Sequence, residues 1–181
     1  MTEPWIQYGS FKFGNVDMYE TFGLRITDCD YDYLSPAPRE RKQSIPLRSG
    51  AYHFEEKYHE ERQIQLSIRA ENPVRHFWRE LSYALDKTAN LYIYDEPEKY
   101  YTGRIYDPSQ IKRLRNVGVD FDLVFTCKPY AIGRSTTDLF TNNVYYPDYH
   151  GTASAPTVIT IRNTGRIAVS GIRIILQNKR S

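Results

Sequence analysis

Residues 118–127, Gly-Val-Asp-Phe-Asp-Leu-Val-Phe-Thr-Cys, constrain the fold of this chain more than any other stretch. Val119, Phe121, Leu123, Phe125 and Cys127 share one parity, while Asp120, Asp122 and Thr126 share the other. That is the period of two of a strand with one buried face. A helix would scatter the five apolar residues around its axis. The run is expected to stop before Pro129, which has no N–H to give to a ladder. Gly133, Ser135, Thr136, Thr137 and the pair Asn142–Asn143 then make a long polar passage. A sheet domain is therefore expected to close near residues 128–132.

Other stretches supply partners for that strand. Ile64, Leu66 and Ile68 alternate with Gln63, Gln65, Ser67 and Arg69 as a second core strand. Phe11–Asp17 reads as two short strands around Gly14–Asn15. Phe22, Leu24 and Ile26 alternate with Gly23, Arg25 and Thr27 as a strand that runs into the acidic segment Asp28–Asp32. Leu91–Tyr94 and Tyr100–Tyr106 flank the acidic reversal Asp95–Glu96–Pro97, which predicts a hairpin. One helix is expected over 73–88: Asn72 can cap it, Pro73 suits its first position, and Val74, Phe77, Trp78, Leu81, Ala84 and Leu85 recur at three- and four-residue steps. Its apolar stripe must lie on the sheet. Asp107–Pro108–Ser109 can start a further turn of helix through Ile111 and Leu114.

Beyond His150, Gly151–Pro156 has the composition of a linker. Val158–Arg162, Asn163–Arg166 and Ile172–Leu176 then read as strand, turn and strand. About 25 residues make no core of their own, so this is either a hairpin added to the main domain or, on the favoured reading, the truncated start of a second β-sandwich. The expected division is 1–150 and 151–181. The fold class is α+β: mainly antiparallel β, sandwich-like sheets with a projecting β-hairpin and one packed α-helix, then an incomplete second β-sandwich segment.

Charge narrows the function classes. Five of the 24 basic residues and none of the 22 acidic ones lie beyond His150, so the first 149 residues carry 19 against 22, a net −3. That balance argues against a nucleic-acid-binding main domain. No run of about 18 apolar residues indicates a membrane span, and no basic-then-apolar start indicates a signal peptide. The two cysteines, Cys29 and Cys127, read as free thiols. Cys127 sits in the apolar register, and Asp28 and Asp30 beside Cys29 raise rather than lower a thiol pKa.

No reaction centre is legible. His53 and His59 flank Glu55 and Glu56, but six-residue spacing on a ribbon does not converge metal ligands. Asp120 and Asp122 share a strand face at a spacing that glycosidases use, yet two aspartates on the open side of a sheet are ordinarily solubilising. Glycines are isolated, so there is no phosphate loop. No catalytic, cofactor-binding or metal residue is predicted, and no cofactor. The excess of 16 Tyr over 8 Phe and 2 Trp suits sheet edges that meet partners or sugars, and equally an ordinary β surface. The ribbon Tyr52–Gln63 stands out as too charged for a core. Phe54, Glu55, Lys57, Tyr58, Glu60, Glu61 and Arg62 are its candidate subunit-contact residues, set against the alternative of a solvated hairpin.

Several short motifs carry a resemblance. Phe13–Gly14–Asn15–Val16–Asp17, Ile45–Pro46–Leu47–Arg48–Ser49–Gly50, Leu91–Pro97 with Tyr100–Tyr101, Phe125–Thr126–Cys127–Lys128–Pro129–Tyr130 and Gly151–Pro156 resemble, in order, segments of the distal tail protein (Dit) family of long-tailed non-contractile bacteriophages and Gram-positive prophages. Leu47 departs from the family's usual Gly, and Gly14–Asn15 reverses its Asn–Gly order. The resemblance implies a virion component at the distal end of the tail, made in the host cytoplasm. It implies a homo-oligomer, a hexameric ring, between the tail tube protein and a tail-associated baseplate or adhesin protein. DNA would be met only in transit through the channel, and no membrane is implied. It also implies a galectin-like C-terminal domain. A carbohydrate-binding module is the alternative reading.

Overall fold

A computed structural model describes residues 2–31, 36–44, 51–71, 73–106, 111–114, 118–140, 144–146, 151, 153, 155–167 and 170–175. For 31, 40–44, 51–57 and 111–114 it describes the backbone alone. The chain forms two compact units, Met1–Leu139 and Phe140–Ser181.

The first unit is built on the expected strand. β10 (Gly118–Cys127) pairs antiparallel with β6 (Arg62–Ala70) from Val119↔Ala70 to Cys127↔Arg62. The inward residues Ile64, Leu66, Ile68, Phe121, Leu123, Phe125 and Cys127 are all buried. Around this pair an eight-stranded antiparallel sheet takes the order β2 (Val16–Asp17), β1 (Phe11–Phe13), β7 (Ala89–Ile93), β8 (Tyr101–Arg104), β10, β6, β3 (Arg25–Tyr31), with β9 (Ile111–Leu114) also on β10. The sheet curls: Phe11 and Phe13 of β1 meet Phe125 at ring-centroid distances of 6.0 and 5.3 Å, although β7 and β8 lie between their strands. The α+β, mainly antiparallel sandwich-like class holds.

The helices refine the sequence expectations. α1 (Pro4–Gln7) precedes every element expected from the sequence, and its Trp5 is buried. α2 (Met18–Phe22) replaces the expected start of the third strand. Asp17 accepts from the N–H groups of Tyr19 and Glu20, both at 2.9 Å, and Gly23 ends the turn in the left-handed region at φ 65°. The strand begins only at Arg25. The single longer helix, α3, spans Arg75–Leu85 rather than 73–88, because Val74 keeps extended backbone and occupies the cap position without a side-chain bond. Pro73 thus precedes the helix, and Asn72 lies outside the described residues. Its stripe does lie on the sheet: Leu81 and Leu85 are buried, and Trp78 meets Phe121 edge-on at 5.3 Å. Burying each such side chain contributes about 1.5–3 kcal/mol.

Residues 111–114 are strand, not helix. Their backbone takes up the ladder positions of Gly118–Phe121 on the side of β10 away from β6, and that demand prevails over the local pattern. In the second unit, no strand forms among the described residues, so the expected strands at Val158–Arg162 and over the described part of Ile172–Leu176 are absent. The expected turn is present: Asn163 Oδ1 accepts from Gly165 N–H at 2.9 Å, and its amide donates to the Ile167 carbonyl.

Two measurements test this packing. A Cβ on Gly103 would stand 2.7 Å from the Thr126 carbonyl and closer still to the Cys127 sulfur. Gly103→Ala is therefore expected to lower unfolding stability by about 1–3 kcal/mol in urea titrations, and an unchanged midpoint would contradict that contact. Burial pushes both thiols up to about 12. At Cys29 burial is the larger cause and the charges of Asp95, Asp28 and Asp30 add to it; at Cys127 Arg62 pulls the other way. Neither thiol is expected to take up iodoacetamide at neutral pH in the native chain, and both should once it is unfolded, as read by intact mass.

Candidate functional site

The expected contact ribbon Tyr52–Gln63 is not one element. β5 (Ala51–His59) pairs with β4 (Pro38–Ser44) and, among the described residues, with no strand of the large sheet, making a separate two-stranded ribbon. Residues from Arg62 onward belong to β6. The arm is therefore 38–59. It takes in Phe54, Glu55, Lys57 and Tyr58, leaves Glu60 and Glu61 at its root, and excludes Arg62. In register, Phe54 faces Arg41 and Glu55 faces Glu40; the side chains of Phe54, Glu55 and Lys57 lie outside the described residues. Tyr58 is exposed. The metal option at His53, Glu55 and Glu56 likewise falls on undescribed side chains.

The root is held at several points. Glu60 N–H donates to the Ala37 carbonyl at 2.9 Å, and the Arg39 guanidinium reaches the Glu60 carboxylate at 3.2 Å. His59 Nδ1 lies 2.7 Å from the Tyr130 hydroxyl, with the rings edge-on at 5.3 Å. Tyr130 sits on the exit from β10, which continues beside β8: Lys128 N–H bonds the Thr102 carbonyl, and Tyr100 and Ile132 exchange two backbone bonds. Behind the root, the Arg62 guanidinium lies over the Tyr101 ring at 5.7 Å. The arm thus leads through Glu60 and Glu61 into β6, and its root lies beside the exit from β10.

The aspartate pair is engaged elsewhere. Asp120 takes two bonds from the Arg69 guanidinium, at 2.8 and 3.0 Å, and this holds its carboxyl below the usual range. Asp122 accepts from the Ser67 hydroxyl at 2.6 Å. All three bonds run across the open face between β10 and β6. Among the described residues no three His, Cys, Asp or Glu side chains gather as metal ligands, and no helix is long and apolar enough to cross a membrane.

Sequence reasoning missed two clefts, neither of them on the arm nor lined by Asp120 or Asp122. One lies between α2 and α3, lined by Phe22, Arg79 and Tyr83 among others. The other is bounded by Pro4, Tyr8, Tyr19, Glu20, Gly23, Arg25 and Glu71. There Tyr8 and Tyr19 stack at 4.2 Å and 16°, with the Arg25 guanidinium 5.6 and 5.4 Å from their centroids. Spacing in sequence gives no hint of it, since three elements converge only in the fold.

Comparison with solved structures finds a likeness in fold. The chain is similar to the crystal structure of the Dit protein of phage SPP1, described as a paradigm of the hub adsorption apparatus in phages that infect Gram-positive bacteria. The TM-score is 0.54 and the identity 16%, over 68% of this chain and 51% of that one. No protein-family model and no curated protein matches. The chain spans about half the length of the SPP1 structure and shares its fold over that span.

Proposed function

We propose that this chain is a structural subunit of a bacteriophage tail tip: a ring-forming hub at the distal end of the tail that joins the tail tube to the baseplate or host-recognition apparatus. The observation that carries this reading is the fold shared with SPP1 Dit. The role is architectural, and the chain catalyses no reaction. Its partners are further copies of itself, six in a closed ring, with tube protein above and a baseplate or adhesin protein below.

The arm supports the same reading. A lone two-stranded ribbon is marginal in water, and among the described residues neither edge of this one pairs with a further strand. A head-to-tail ring needs two different complementary surfaces on each subunit, and such a ribbon laid on a neighbour supplies one of them. Residues 38–59 carry five basic and three acidic side chains, a net +2. The edge strand β3 carries exposed Asp28 and Asp30, so the arm of one copy and the β3 side of the next are complementary in charge.

Light scattering over a concentration series, with negative-stain imaging, is expected to show closed rings of six 21.3 kDa chains, about 128 kDa. A persistent monomer would count against the hub. Reversing Glu60 and Glu61 to Lys is expected to break the rings with the circular dichroism unchanged. The added swap Arg39→Glu restores the root pair alone, so continued failure to assemble would place the lost contact on the neighbour. Intact rings in the double Glu variant would remove these residues from the interface.

A further inference from the structure

The cleft around Tyr8 and Tyr19 shares only Arg25 with the β3 side invoked for assembly, and its chemistry is selective. We propose that it is a saccharide-binding site that takes a neutral hexose unit of a glycan. The two stacked rings form a flat aromatic block whose edge is occupied by Arg25. Separations of 5.6 and 5.4 Å to rings only 4.2 Å apart put the guanidinium beside the stack rather than on top of it. The outer ring faces are thus clear of the cation, and Tyr8 is 42% exposed. A pyranose presents a C–H face suited to such a ring, because its amphipathic surface matches an apolar body with a polar rim.

The rim hydroxyls of a sugar both donate and accept, and the cleft supplies both counterparts. Glu20 and Glu71 offer carboxylate acceptors, and among the described residues neither makes a side-chain hydrogen bond. Arg25 offers guanidinium donors, with one long bond of 3.5 Å to the Tyr19 hydroxyl. Two carboxylates against one guanidinium disfavour a phosphate or an acidic sugar, and a wholly apolar ligand would strip water from three charges without return. At Gly23 there is open space, since a Cβ there would meet no atom within 4 Å.

The site is also held ready. Tyr19 rides on the turn capped by Asp17, Tyr8 closes α1 by donating its N–H to the Pro4 carbonyl at 3.0 Å, and Arg25 is fixed opposite Arg69 at the head of β3. Ile26 N–H bonds the Gly9 carbonyl at 2.8 Å, tying α1 to the strand. Little ordering is left to offset affinity.

The test is saturation-transfer NMR on the full chain with glucose, galactose, N-acetylglucosamine and their linear tetrasaccharides, each at about 10 mM. Transfer to the ring protons of at least one sugar is expected, with a Kd of order millimolar. Tyr8→Ala and Glu71→Gln should each weaken it about fivefold or more, with unfolding midpoints unchanged; Glu71→Gln serves should Tyr8→Ala perturb the fold. No transfer across the panel, or transfer indifferent to both variants, would overturn the site. Tighter binding of glucuronate than of glucose would overturn the ligand class. Sugar binding and ring mass are separate readouts, so failure of this site and failure of the hub reading are distinguishable.

Discussion

The pairing of β10 with β6 is the contact on which the rest of the structure depends. Nine residues of each strand face one another, and their inward side chains form the floor on which everything else is laid. α3 sets Trp78 on Phe121, β1 brings Phe11 and Phe13 over Phe125, and β3 adds itself along the far side of β6. Removal of a fully buried aromatic such as Phe125 would cost about 3–5 kcal/mol. That is a large share of the stability of a domain this size.

The opposite face fixes how the two strands meet. A slip of one residue would turn Asp120 and Asp122 into the core and Phe121 and Leu123 out of it, and the Arg69–Asp120 and Ser67–Asp122 bonds are correct only in the observed register. Exposed pairs of this kind add little to stability, so their contribution is to alignment. β3 shows the same logic from the other side. Ile26 and Cys29 are both half-buried although three positions apart, which period two forbids; the register shift between Ile26 and Asp28 supplies the odd residue. That irregular, acidic strand is also a poor template for uncontrolled edge pairing.

Legibility in the sequence followed the range of the governing interaction. β10, β6, the β7–β8 hairpin and the stripe of α3 were readable because each depends on alternation or spacing within a few residues. α2 was not read: its cap residue Asp17 and its terminal Gly23 are local signals, but the apolar alternation of Phe22, Leu24 and Ile26 pointed to a strand instead. β9 was not readable, since its strand state comes from vacant positions on β10. The arm's charge was visible, but its partner was not: β5 pairs backward with β4 across residues 45–50 rather than turning into β6. The Tyr8–Tyr19–Arg25 cleft was beyond reach because only folding assembles it.

The way the arm is rooted has a mechanical consequence. Nine residues of β5 at about 3.3 Å each make a ribbon about 30 Å long, fastened at one end by the His59–Tyr130 and Arg39–Glu60 contacts. Rocking of one degree at that fastening moves the far tip by about 0.5 Å. The precision with which such a lever delivers its tip is therefore set by a few side chains at the fulcrum, and small geometric errors there are magnified wherever the tip must land.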